Sequence, residues 1–121
     1  MGDLPRARAF ALSLPGASEE PHFDMTSFRV GRRIFATATA DETWLHVFVD
    51  ESEIAATVEE AAGAAGPGAF EPLLWGQRLS GLRVRLAAAP EDRVRELIAD
   101  AWRRKASKRL VAEFDATNGG A

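Results

Sequence analysis

The stretch SFRVGRRIFATATADETWLHVFVD, residues 27–50, decides the fold. Residues 27–30 form a short strand that places Phe28 and Val30 on one face. Gly31-Arg32 supplies a tight turn, in which Arg32 must accept the turn's backbone. Residues 34–39 resume with strand-type side chains, and Ala40-Asp41-Glu42 reads as a second turn. Residues 43–49 give the clearest strand: Leu45, Val47 and Val49 alternate with Trp44, His46 and Phe48. Both sets are largely apolar, which implies at least partial cover on both faces. Three consecutive strands joined by turns this short run antiparallel.

Helices flank this core. Asp3-Leu4-Pro5 starts one, with Asp as cap and Pro in the first turn, and Ala7, Phe10, Ala11 and Leu14 form its apolar stripe. Pro15-Gly16 stops it. Asp50 caps a second helix, with Glu53 as capping-box partner and Ile54, Val58, Ala61 and Ala62 as its buried stripe. Residues 63–68 (GAAGPG) end it in a flexible loop. Residues 69–80 are the least legible: Phe70 and Leu73 suggest a short strand, and Trp75-Gly76 a turn. Leu82, Val84 and Leu86 then alternate with Arg83 and Arg85, a half-buried strand with a basic outer face. The helix after Pro90 buries Val94, Leu97, Ile98, Ala101 and Trp102. Its Glu91 and Asp92 open the first turn and its Arg103-Arg104-Lys105 close the last, both matched to the helix dipole. A break near Ala106-Ser107, with Ser107 as cap, leads to a short helix that buries Leu110, Val111 and Phe114.

The expected order is α-β-β-β-α-(β)-β-α-α. This is an α+β domain: an antiparallel sheet with helices packed on one face. Residues 1–116 are expected to form a single domain, and residues 117–121 a disordered tail. The 121 residues contain no cysteine, which excludes disulfides and thiolate chemistry. No apolar run reaches the roughly 18 residues of a membrane span, and MGDLPRARAF lacks the apolar core of a secretion signal. A soluble cytoplasmic monomer is expected. The net charge of −3 is uneven: residues 1–72 hold 5 Arg/Lys and 12 Asp/Glu, whereas residues 73–121 hold 10 and 6. Such a split marks either a polyanion-binding side or merely two solvated faces.

Catalysis and metals find little support. None of the six serines sits in a G-x-S-x-G elbow, and nothing pairs either histidine with a serine. His22 has Glu19, Glu20 and Asp24 nearby, but the spacing E-E-P-H-F-D fits no helical His pair and no calcium loop, and Pro21 makes the segment extended or turned. His46 reads as a packed or half-exposed sheet residue. GAAGPG lacks the ending and the context of a phosphate loop. No cofactor, metal or catalytic residue is expected. The basic residues remain. Arg32 and Arg33 mark a hairpin tip, Arg83 and Arg85 stand on a polar strand face, and Arg103, Arg104, Lys105, Lys108 and Arg109 cluster near the C-terminus. Arginine suits bidentate phosphate contact, though the pI near 5.4 is acidic for a nucleic-acid binder.

The segment LPGASEEPHFDMTSFRVGRRIFA, residues 14–36, resembles the opening of the MmcQ/YjbR family. The shared features are a Leu-Pro-Gly turn (Leu14-Pro15-Gly16), an acidic pair (Glu19-Glu20), Pro21-His22-Phe23, and a Phe-x-Val-Gly hairpin from Phe28 to Ala36. Residues 45–50, Arg83-Val84-Arg85-Leu86 and the region from Ala101-Trp102 through Lys108-Arg109-Leu110 are similar to later parts of the family. The resemblance implies a CyaY-like (frataxin-like) fold and DNA binding by two basic hairpin "wings". Arg32 and Arg33 would fall on the first wing, and Arg78, Arg83 and Arg85 on or near the second. The sequence departs from the pattern in two places. Gly81-Leu82 stands where many members carry an aromatic, and Arg78 alone represents a Lys-rich run. A frataxin-like fold also suggests iron at Glu51, Glu53, Glu59 and Glu60, but these read as a solvated helix face.

The expectation is therefore a small non-enzymatic DNA-binding domain. Its phosphate contacts would come from Arg32, Arg33, Arg78, Arg83, Arg85, Arg103, Lys105, Lys108 and Arg109. The alternative is a protein- or small-molecule-binding module using Trp44, Trp75, Phe70 and Phe23, in a pocket around Trp75.

Overall fold

A computed structural model describes residues 3–64 and 68–118. The elements run α1 (Leu4–Ser13), β1 (Ala17–His22), β2 (Met25–Val30), β3 (Arg33–Ala38), β4 (Trp44–Val47), α2 (Glu51–Ala64), β5 (Phe70–Trp75), β6 (Arg78–Arg85), α3 (Glu91–Lys105) and α4 (Lys108–Asn118). The six strands form one antiparallel sheet in the order β1-β2-β3-β4-β6-β5. The α+β class is as the sequence implies.

Local signals hold where tertiary contacts do not compete. Asp3 accepts a hydrogen bond from the Arg6 amide at 2.9 Å and caps α1. Gly31 and Arg32 adopt φ of 55° and 73°, so the β2–β3 turn has the two left-handed residues of a type I′ hairpin. Ser107 accepts from the Leu110 amide at 3.2 Å, starting α4. Asp50 accepts from the Glu53 amide at 2.8 Å, but the Glu53 carboxylate does not complete a capping box. It turns to α3, where Arg93 lies 3.5 Å away and the Asp100 carboxylate pushes the Glu53 pKa up.

Several expectations need correction. Residues 17–22, which are not among the expected strands and whose sequence near Pro21 implies only an extended or turned segment, form an edge strand paired along its length with β2. The dim segment near Phe70 is a full strand at the opposite edge. Each edge strand carries a proline, Pro21 and Pro72, which blunts it against pairing with another chain. Leu110, Val111 and Phe114 are half-buried rather than buried. Helix α4 continues to Asn118, into the segment expected to be a tail. Residues 119–121, residues 65–67 of the GAAGPG loop, and the side chains of Ala61 and Ala62 lie outside the described residues.

The register separates two faces. Phe28, Ala36, Val47 and Leu82 lie side by side across β2, β3, β4 and β6, all buried in the core. A bulge opposite Phe28 and Arg29 lets the consecutive residues Phe35 and Ala36 both enter that core. Trp102 of α3 is fully buried there, its indole N–H donating to the Pro15 carbonyl at 3.1 Å. The other face carries a polar row across the whole sheet: Glu20, Ser27, Thr37, His46, Arg83 and Glu71 are successive cross-strand partners. Gly81 is required by close approach. A Cβ there would collide with the Val47 carbonyl oxygen and stand 3.2 Å from the Phe48 Cα. Among the described residues, no helix is long and apolar enough to cross a membrane.

Candidate nucleic-acid interface

The polar face of the sheet leads into a groove of about 810 Å³. The groove forms where β4 leaves the sheet for α2, beneath the β5–β6 turn and the end of α3. Phe48 and Trp75 supply its aromatic wall, with ring centroids 6.2 Å apart in an edge-to-face arrangement. Arg78, Arg104 and Lys105 supply its cations. Trp75 is 67% exposed, a large apolar surface left open to solvent.

Helix geometry and tertiary contact jointly place the cations. Arg104 lies in the last turn of α3, and its Nη1 donates to the Phe48 carbonyl at 2.8 Å, which ties the helix end to the strand exit. Lys105 follows it. Partial burial, then the like charges of Arg104 and Arg33, hold the Lys105 pKa below its usual value. Arg33 therefore lies close to the groove although it does not line it. Among the described residues, no carboxylate stands in ion-pair contact with Arg33, Arg78, Arg104 or Lys105. Two acidic groups do line the groove, Asp50 and Glu51. Asp50 is occupied as the α2 cap, accepting from the Glu53 amide and the Ser52 hydroxyl, and its pKa is lowered accordingly.

Beside the groove, Trp44 lies beneath two guanidinium groups. Arg83 stands 4.1 Å and Arg85 4.9 Å from its ring centroid. Such stacking contributes about 0.5–1 kcal/mol at an exposed site and covers the ring with arginine stems. Arg83 also pairs with Glu71 at 3.0 Å, both groups being partly exposed. Next in the row, His46 meets the Thr37 hydroxyl at 3.3 Å through Nδ1, while its buried Nε2 has no partner. Burial, and secondarily Arg83, lowers the His46 pKa, so the ring is held neutral.

The nine basic residues read from the sequence thus fall into three groups. Arg78 and Lys105 line the groove, Arg33 lies near Lys105 without lining it, and Arg32 stands at the hairpin tip. Arg83 and Arg85 frame Trp44. Arg103, Lys108 and Arg109 do not line the groove; Arg103 bonds twice to Asp115 of α4, once at 3.3 Å, and stacks over Phe114. Arg104, named in the C-terminal basic cluster but not among the expected phosphate contacts, and Phe48, read as a strand residue, join the site. Arg104 is explained in sequence by the helix dipole, and its contact with Phe48 spans 56 positions. Of the four aromatics considered for a pocket, Phe70 is buried in the core, Phe23 is 92% exposed at the β1–β2 turn, Trp44 lies under the arginines, and Trp75 lines the groove.

A second depression of about 500 Å³ lies between β1 and the β3–β4 turn, with Glu19, Glu20, Asp24 and Glu42 among its lining residues. Glu19 is held there by Arg8 at 3.0 Å and Thr26 at 2.9 Å. Arg8 is the one basic side chain among its lining residues, and the depression adjoins the groove at Met25. Among the described residues, no three His, Asp or Glu side chains converge as a metal would need.

A search of the curated proteins gives no match to this chain, and a search of the solved structures gives none either. Residues 12–104 match the family model described as YjbR, from the end of α1 to the end of α3 and across every strand of the groove; the chain belongs to the YjbR family.

Proposed function

We propose that this is a non-enzymatic nucleic-acid-binding domain of the cytoplasm, which seats phosphates among Arg78, Arg104 and Lys105 and draws further backbone contact from Arg32, Arg33 and Arg85. One observation carries the reading: Arg78, Arg104 and Lys105 line one groove, and among the described residues no carboxylate stands in ion-pair contact with them; burial first, then the like charges of Arg104 and Arg33, lowers the Lys105 pKa. A bound polyanion removes the repulsion and gains charge-assisted hydrogen bonds. Arg83 is a weaker contributor because Glu71 already faces it. That exposed pair contributes under about 1 kcal/mol, so Glu71 screens Arg83 rather than locks it.

The test is anisotropy of a labelled oligonucleotide at about 50 mM and about 200 mM salt, for the wild type and for Arg78→Glu/Lys105→Glu. Each lost phosphate contact lowers the slope of log K against log salt by about 0.7–0.9. The double variant should therefore lose about 1.5 from the slope and most of its affinity at low salt. Absence of binding at low salt, or binding indifferent to salt, removes the proposal. A second reading, a small-molecule- or protein-binding module, is favoured by the exposed Trp75 beside an open groove. It stands if an uncharged or protein ligand quenches Trp75 while the oligonucleotide does not.

A further inference from the structure

We infer that the ligand is a single strand rather than a duplex, held by stacking of unpaired bases on Phe48 and Trp75 while its phosphates meet Arg78, Arg104 and Lys105. The inference rests on the nucleic-acid reading and names the form of nucleic acid. Three features point the same way. First, the groove places aromatic faces and cations together. A duplex hides its base faces in the stack, so the aromatic wall gains little from a duplex and much from a strand whose bases are free. Second, the cations are not gathered on one broad surface. Arg103 is turned to Asp115, Arg83 to Glu71, and the acidic depression borders the groove at Met25. A rigid duplex needs contacts spread over two backbones, whereas a flexible strand follows a narrow basic track.

Third, the track has length. Trp44 opens β4 and Phe48 directly follows its end, four residues on, roughly 13 Å at strand rise. That is room for about four nucleotides at the 3.4 Å rise of a stacked strand. Arg83 and Arg85 line the Trp44 end, and Arg78 with Trp75 the other. Thr37 and His46 lie between, joined to each other through the Thr37 hydroxyl and His46 Nδ1. The neighbouring cation pair keeps Trp44 covered, so base stacking begins at the exposed Trp75 and Phe48 and extends to Trp44 only if the arginines swing to phosphates.

Four probes separate the possibilities: an oligothymidine of about 12 residues, its duplex with oligoadenosine, an abasic strand with the same phosphates, and thymidine monophosphate. The wild type should bind the thymidine strand about tenfold tighter than the abasic strand or the duplex, and the mononucleotide should fail to compete at strand concentrations. Trp75→Ala should lower binding of the thymidine strand about tenfold and so remove its preference over the abasic strand and the duplex. Trp75→Phe should retain most of the preference. Trp75 is mostly solvent-exposed, so both variants should melt within a few degrees of the wild type, and circular dichroism verifies this. Duplex binding equal to or tighter than strand binding, with the salt dependence intact, overturns this inference and leaves the broader reading standing. Competition by the mononucleotide at strand concentrations likewise overturns the strand form. Failure of all four probes to bind overturns both.

Discussion

Gly81→Ala puts the link between sheet packing and the groove to a quantitative test. The backbone at Gly81 is not left-handed, so alanine meets no dihedral penalty there. The obstacle is space. The new methyl would stand 3.1 Å from the Val47 carbonyl carbon and 3.2 Å from the Phe48 Cα, with the Val47 oxygen closer still. Carbon–carbon contacts are comfortable at about 3.5–4.0 Å, so β4 and β6 must part by about half an ångström or more. All the near atoms are backbone, so no side chain can swing aside. Overpacking of this kind costs about 1–3 kcal/mol. At about 4 °C per kcal/mol for a domain of this size, the melting temperature should fall by roughly 4–12 °C. Gly31→Ala is the matched control: it has open space around its Cβ but a φ of 55°, so it should cost only about 1 kcal/mol. Thermal and urea unfolding by far-ultraviolet circular dichroism measures both. A Gly81→Ala variant within 0.5 kcal/mol of the wild type by the error of such fits would refute the packing argument. The same substitution displaces Phe48, so it should also weaken binding at the groove.

Other outcomes follow from the same geometry. Glu71→Gln releases Arg83 and removes a negative charge beside the basic track; at roughly 8 Å in water one charge is worth about 0.5 kcal/mol, so oligonucleotide affinity at low salt should rise about twofold, read by anisotropy. His46 has a folded pKa below its usual 6.5, so the unfolded chain takes up the proton first as pH falls. The stability it supports is complete above pH 6.5 and declines as pH drops toward the folded pKa. Melting curves at pH 8 and pH 5 should show this loss shrinking in His46→Gln. Trp102→Phe leaves the Pro15 carbonyl without its donor and opens space beside Phe114, which should cost about 2–3 kcal/mol in urea unfolding without altering oligonucleotide binding by folded protein.

The parts of the fold that were legible are those where side-chain period and burial agree. Leu45, Val47 and Val49, or Leu82, Val84 and Leu86, repeat every second residue because one face of the sheet is dry. β1 hides in the sequence because it is an edge strand with polar side chains on both faces. Glu19 is directed to Arg8 of α1 and Glu20 joins the polar row, so no apolar alternation exists to be read. Pro21 adds to the disguise, since proline argues against a central strand and is harmless at an edge. β5 is obscured by Pro72 and by a register shift between Leu73 and Leu74.

The site was legible in its residue types but not in its assembly. Arg78 and Arg33 are recognisable as hairpin residues. The groove, however, depends on Phe48 and Arg104 meeting across the fold, and on Trp75 projecting from an edge strand into solvent. Adjacency in sequence misleads around the α3–α4 break. Arg103 and Arg104 are neighbours, yet one is bound to Asp115 and the other reaches Phe48. Rotation of about 100° per helical residue separates their destinations, and the sequence offers no carboxylate pattern that reveals which arginine will be neutralised.

Nucleic-acid binding at the groove and along the polar face of the sheet, as proposed, is open to direct measurement. The three tryptophan indoles report on it directly: Trp75 lines the groove, Trp44 lies along the sheet, and Trp102 is sealed in the core. Proton–nitrogen correlation spectra recorded during titration with a thymidine strand at low salt should show the Trp75 indole signal shifting most, Trp44 shifting less and Trp102 staying in place, alongside shifts at Phe48, Arg78 and Lys105. A saturating titration that leaves Trp75 unmoved, or that moves α4 signals instead, would contradict it.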